Sequence, residues 1–139
     1  MRQILFLLLI LSVALPITTF AQVKKETKET MPAAKSIVKE VQAFHKLLHP
    51  LVHDALPKGD FAKIRENLEK LLKGATAIQE AQIPKKLAGR QKEATDAANE
   101  LVSQLTDMVS TKDKIDDATL EKLFNDMHEK YEQLAEIVK

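Results

Sequence analysis

The chain has 139 residues, in which 21 Lys and Arg face 20 Asp and Glu, with four His and no Cys. This near-neutral balance lacks the basic surplus that drives binding to nucleic acids or to anionic membranes. The lack of cysteine in the sequence excludes disulfides and a lipid-anchored lipoprotein, so packing alone must stabilise the fold.

The first 21 residues have the pattern of a cleaved secretory signal. A short basic start precedes an apolar run from Ile4 to Leu15, then Pro16 and small residues at Thr19 and Ala21, where we expect cleavage. This pattern predicts export across the inner membrane, into the periplasm. The 118 residues after Ala21 have equal numbers of basic and acidic side chains and no further stretch apolar enough to span a bilayer. We therefore expect one soluble domain.

The remaining chain divides into a polar leader and four amphipathic segments. Residues 22–32 lack apolar periodicity, which predicts a disordered leader, and residues 33–139 repeat apolar side chains every three or four positions. The first helix is predicted to run from about Pro32 to Ala55, and the second begins at Phe61. The third is predicted to run from Pro84 to about Val109, and the fourth begins at a cap provided by Asp116 or Asp117. The side chains predicted to face the core are Ile37, Val41, Phe44, Leu48, Leu51, Ala55, Phe61, Ile64, Leu68, Leu71, Ala75, Ile78, Leu87, Ala94, Ala98, Leu101, Leu105, Met108, Leu120, Phe124, Met127, Tyr131, Leu134 and Val138. Short loops then predict an all-α fold, an antiparallel up-down-up-down four-helix bundle.

Three of the four histidines are spaced four residues apart in the first predicted helix, at His45, His49 and His53. On an α-helix they lie about 40°, 80° and 120° from the buried stripe centred on Val41, so the row leaves the core and crosses one flank. His128 lies on a flank of the last helix. In an antiparallel pair, it is level with His45 and His49 to within about a turn. These are edge positions, where two neighbouring helices can share an ion.

Imidazole is a common ligand of zinc, copper and nickel, and histidines at i and i+4 present two nitrogens to one ion. We therefore predict a transition-metal site in which His49 binds together with His45, His53 or both, and His128 completes the set. Zinc is the favoured ion, with copper or nickel as alternatives. A solvated polar flank that binds no metal is the competing interpretation of the same spacing.

Pro50 decides how many of the histidines can bind one ion. A straight helix separates His45 and His53 by about 12 Å, which is too far for both to bind the same ion. Proline lacks an amide donor and disturbs the preceding turn, so a kink at Pro50 can bring His53 back toward His49, or Pro50 can merely curve the helix. On the last helix, Glu121 and Glu132 share the face of His128, and either is expected to supply an oxygen ligand or to orient the histidine.

No catalytic motif accompanies these histidines. The sequence lacks the Glu-x-x-His pairs of di-iron bundles, and His128-Glu129 is not followed by the second histidine of a zinc-protease motif. It also lacks a glycine-rich phosphate loop and a nucleophile with a partner base. We therefore expect a binding protein and not an enzyme.

The plan of residues 33–139 resembles the cytochrome b562 and cytochrome c′ group of periplasmic four-helix proteins. In the b562 type, a methionine on the first helix and a histidine on the last hold haem. His128 corresponds to the histidine, whereas Met31 precedes the first helix, so His45 would take its place. The resemblance implies haem b as a less favoured alternative cofactor.

The stretches LHPLVHDALPKGD (residues 48–60) and MHEKY (residues 127–131) also look like uncharacterised exported helical proteins of Gram-negative bacteria. A ligand-free structural or chaperone-like module is the third possibility.

Overall fold

Four α-helices make up most of residues 35–139, which are the residues that the computed structural model describes. They are α1 (Ile37–Pro50), α2 (Phe61–Gln79), α3 (Gln91–Thr111) and α4 (Asp117–Val138). Across residues 35–139 there is no β-strand, only a single bridge between Ser36 and Gln82. The predicted all-α class is therefore confirmed. The predicted signal (residues 1–21), the leader (residues 22–32) and Met31 lie outside the described residues.

Each helix buries one stripe of apolar side chains at the predicted spacing of three and four residues. All but one of the side chains predicted to face the core are buried, with exposures of 8% or less. The exception is Phe61, which is half-buried at the first position of α2. Burying a large apolar side chain contributes about 1.5–3 kcal/mol, so these stripes supply the stabilisation that a cysteine-free chain needs.

The first helix is shorter than predicted. The α-helix ends at Pro50, because proline has no N–H with which to continue the hydrogen-bond ladder. The chain winds on as a π-helical turn (Leu51–Ala55), in which the N–H of Leu56 bonds to the carbonyl of Leu51, five residues back. A 3₁₀ turn (Leu56–Lys58) follows, and Gly59 then reverses the chain with a left-handed φ of 66°. The prediction of one continuous α-helix to Ala55 was wrong.

The third helix starts later than predicted. Pro84 is extended, with φ −62° and ψ 150°, and a 3₁₀ segment (Lys85–Arg90) precedes the α-helix. Only Leu87 is buried in that segment, so little packing holds it in α geometry. The helix ends at Thr111, two residues beyond the predicted end. Of the two predicted caps of α4, the structure uses Asp116. Its side chain accepts a 2.7 Å hydrogen bond from the N–H of Thr119.

Two close contacts fix α1 against its neighbours. On one side, the Phe44 ring packs over Gly74 of α2, where an added Cβ would lie 3.0 Å from Cδ2 of Phe44. On the other side, Tyr131 of α4 packs its ring 5.2 Å from that of Phe44, between centroids. The Tyr131 hydroxyl also donates a 3.5 Å hydrogen bond to the carbonyl of Val41. The histidines of α1 therefore lie beside a core that holds their helix firmly.

None of the helices in residues 35–139 is both long and apolar enough to cross a membrane.

Candidate functional site

His45, His49 and His53 form a row along the outside of α1 and the π-helical turn. All three are exposed. The ring centroids of His45 and His49 are 5.6 Å apart at 65°, and those of His49 and His53 are 4.4 Å apart at 43°. The structure thus brings the three imidazoles predicted from the sequence into one continuous series, and the second pair is the closer one.

The closer approach of His53 follows from the backbone that Pro50 imposes. In an α-helix a four-residue step overshoots a full turn by about 40°, which moves the second side chain around the axis. A π-helical turn contains about one residue more per turn, so the same step falls short of a full turn by a similar angle. The step from His49 to His53 begins in α1 and continues in the π-helical turn, so the two deviations offset each other and His53 lies close to His49. Pro50 therefore does more than curve the helix. It is followed by a local change of winding at the position where the second histidine pair forms.

The rings of His49 and His53 are close neighbours, which is one requirement for a shared ion. Each imidazole nitrogen binds zinc at about 2.0–2.1 Å, so two ligand rings must also direct their nitrogens at one point. The ring centroids are 4.4 Å apart with 43° between the planes, so the side chains must rotate to meet that second requirement. Because both rings are exposed, an ion can enter from solvent without opening the core.

His45 is held by a contact that the sequence analysis did not identify. Its ring stacks on Tyr131 of α4, with centroids 5.8 Å apart and an angle of 28° between the planes. Burial raises the pKa of Tyr131, and the nearby Glu132 carboxylate raises it further, so the phenol stays neutral. The signal in the sequence was the single tyrosine, three residues after His128. His45 is therefore oriented by α4, whereas the ring neighbours of His49 and His53 within residues 35–139 are other histidines of the same row.

His128 is half-buried, with 25% of its side chain exposed, and its Nε2 lies 3.5 Å from Oε1 of Glu132. This is the support that the sequence predicted for His128. None of the aromatic contacts among residues 35–139 connects His128 to the histidines of α1. Over the same residues, no group of three or more His, Cys, Asp or Glu is arranged to hold a single ion. Closure of the site by His128 stays a prediction, and the two histidine rings that lie closest together are those of His49 and His53.

No protein-family model, curated protein or solved structure matches this chain. Its function must therefore be inferred from its own side chains. Those side chains offer two adjacent, exposed imidazoles, a third that α4 orients, and a fourth that is paired with a carboxylate.

Proposed function

We propose that this protein binds a divalent transition metal, zinc in the first place, in the periplasm after export. His49 and His53 are the primary ligands, with His45 and His128 as further ligands. Copper and nickel are the alternative ions. The observation that carries the proposal is the 4.4 Å separation of the His49 and His53 rings, both exposed, at a π-helical turn. π-Turns inside helices occur frequently at functional sites.

We also propose that the helices are arranged as an antiparallel up-down-up-down bundle. Side-chain pairs between helices support this arrangement, because the residue numbers decrease along one helix as they increase along the other. Glu69 of α2 pairs with Lys112, just after α3, at 2.7 Å, and Gln79 of α2 bonds to Asn99 of α3 at 2.9 Å. In this arrangement the flank of α1 that contains His45 faces the flank of α4 that contains His128. We infer that a rearrangement of side chains adds His128 to a metal bound at His49.

The chemistry of this site suits a metal buffer or carrier and not a metal-dependent fold. The core is packed by apolar side chains, so the ion has no structural task. Two or three histidine ligands leave coordination positions open, and an open site exchanges its ion with other ligands more readily than a closed four-ligand site. We therefore expect the helical circular dichroism to persist after metal is removed with a chelator.

Zinc titration by isothermal calorimetry, on tag-free and chelator-treated protein at pH 7.5, tests the proposal. We expect submicromolar binding that weakens toward pH 5, because protons compete with zinc for imidazole nitrogens. His49→Ala and His53→Ala should each weaken binding at least tenfold, since each removes one of two primary ligands. Asn125→Ala, at an exposed position of α4, is the control and should bind like the wild type.

The same variants separate the alternatives. If His49→Ala and His53→Ala bound zinc as tightly as the wild type, the proposal would fail. If His128→Ala weakened binding as much as His49→Ala, the predicted closure by α4 would be supported. A sharp Soret band on titration with haem, lost in His45→Ala and His128→Ala, would favour the cytochrome-like alternative. Unchanged metal retention in a triple alanine variant of His45, His49 and His53 would favour the ligand-free module.

A further inference from the structure

A groove of about 560 Å³ runs between α1 and α4, beside the row of histidines. Its apolar walls are Val38 and Val41 from α1, and Ala135 and Val138 from α4. Val38 and Ala135 are half-buried, so apolar surface faces the opening. The volume lies within the range of small-molecule sites, which are mostly apolar with a few polar groups at defined positions.

The two charged side chains that line this groove are both lysines. His45 and Lys46 line one end and Lys139 lines the other, and none of the lining residues has an acidic side chain. Lys139 is paired with Glu136, which offsets its charge. No carboxylate among residues 35–139 forms an ion pair with Lys46. The polar end of the groove is therefore the end at His45 and Lys46.

A second groove on α4 differs from the first in the charge of the side chains that line it. The groove between α3 and α4 has almost the same volume, about 550 Å³. Four carboxylates line it, from Glu100, Asp107, Asp126 and Glu129. The same helix thus faces an acidic groove on one side and a cationic, apolar groove on the other. Of the two grooves on α4, the one between α1 and α4 is the better match for a ligand with an apolar body and a negative end.

We infer that this groove binds a free medium-chain fatty acid. The alkyl chain lies along Val38, Val41, Ala135 and Val138, and the carboxylate is bound by the Lys46 ammonium and an N–H of His45. The Tyr131 hydroxyl does not receive the carboxylate, because it already bonds to the carbonyl of Val41 and lies near Glu132. From Val38 to Lys46, α1 rises about 12 Å, the length of a straight chain of about ten carbons. This site shares His45 with the proposed metal site, but the inference does not depend on the metal function.

Calorimetric titration of the full protein with decanoate, in the presence of a chelator at pH 7.5, tests the inference. Decanoate should bind saturably and at least tenfold tighter than decyltrimethylammonium, which has the same tail and the opposite charge. It should also bind about fifteenfold tighter than octanoate, because each of the two additional buried methylenes changes affinity about fourfold. Equal affinity for the two head groups, or the absence of saturable binding by decanoate, would overturn the inference. Binding to phospholipid vesicles but not to decanoate would overturn it as well.

Two variants locate the site. Ala135→Phe fills the groove and should lower decanoate affinity at least tenfold. Lys46→Glu reverses the charge at the polar end, and should lower decanoate affinity at least tenfold while raising that for decyltrimethylammonium. Lys122→Glu, exposed elsewhere on α4, makes the same charge change and should leave both affinities unaltered. Circular dichroism checks the fold, and the exposed Lys46 variant decides the outcome if Ala135→Phe does not fold. Decanoate affinity unchanged by Lys46→Glu would reject the site.

Discussion

Two polar regions of this molecule use their side chains in opposite ways. The α3–α4 connection (residues 112–116) is tied to α2 by Arg65, which donates hydrogen bonds to the carbonyl of Lys112 at 2.8 Å and of Ile115 at 2.9 Å. Its guanidinium also bonds to the carboxylate of Asp117 at 2.6 Å. In the histidine segment (residues 45–55), the histidines contact mainly one another and solvent. Polar groups that stabilise the fold are thus already bonded within the protein, while those of the histidine segment are free to bind a ligand.

The backbones of the two regions also differ, because one lies between regular helices and the other departs from regular α-helical winding. The connection between α3 and α4 follows a regular helix and leads into a capped one. The histidine segment contains Pro50 and a π-helical turn, and a 3₁₀ turn follows it directly. Departures from regular winding cost free energy and are retained where they place functional groups. We therefore interpret the π-helical turn as the device that aligns His53 with His49.

Arg65→Ala is expected to give the largest change in stability. The substitution removes three hydrogen bonds from a charged donor and leaves two carbonyls without their partner, which should lower the free energy of unfolding by about 2 kcal/mol. Arg65→Lys should restore only part of this, because an ammonium cannot reach three acceptors with the fixed geometry of a guanidinium. Urea unfolding followed by circular dichroism measures both variants.

The matched substitution in the histidine segment sharpens the comparison. Alanine at His45, His49 and His53 should each change the free energy of unfolding of the metal-free protein by no more than about 0.5 kcal/mol, as for exposed residues in general. A loss as large as that of Arg65→Ala would mean that these histidines stabilise the fold. The contrast between the two regions would then be invalid.

Pro50→Ala should give the next effect, on zinc affinity. Alanine restores an N–H donor and allows α winding to continue, which rotates His53 away from His49 by about 40°. We expect zinc affinity to fall about tenfold, equivalent to about 1.4 kcal/mol, with no loss of stability. Pro57→Ala, in the following 3₁₀ turn, is the control. Calorimetry that showed equal zinc affinity for Pro50→Ala and the wild type would exclude a role for the π-helical turn.

The sequence predicted the core well, because burial of one helix face leaves a direct record in the spacing of apolar residues. Only Phe61, at the end of a stripe, is less buried than expected. Helix ends were harder to predict. Pro84 is compatible with the first turn of an α-helix, but with Leu87 alone to pack, the chain adopts 3₁₀ geometry until Gln91.

The candidate site was predictable in composition but not in geometry. The spacing of His45, His49 and His53 is visible in the sequence, and Pro50 marks an irregularity between them. Nothing in a proline indicates whether the chain bends or winds more loosely, because that depends on how the following turn packs. The stacking of His45 on Tyr131 joins residues 86 positions apart in the chain, and such tertiary contacts leave no local pattern.

The smallest expected effect is a pH dependence in the α3–α4 connection. Hydrogen bonds from the Thr119 side chain and N–H, and the charge of Arg65, hold the pKa of Asp116 below its ordinary value of 3.8. A lowered folded-state pKa stabilises the protein above the unfolded-state pKa, and this contribution is lost as the pH falls through the folded-state value. Asp116→Asn keeps a capping oxygen but removes the charge. The difference in unfolding free energy between wild type and Asp116→Asn should therefore be constant above about pH 5 and shrink below pH 4. Asp54→Asn, in the histidine segment, controls for the change in net charge. A difference that persisted undiminished to pH 3 would show that the charge of Asp116 does not stabilise this connection.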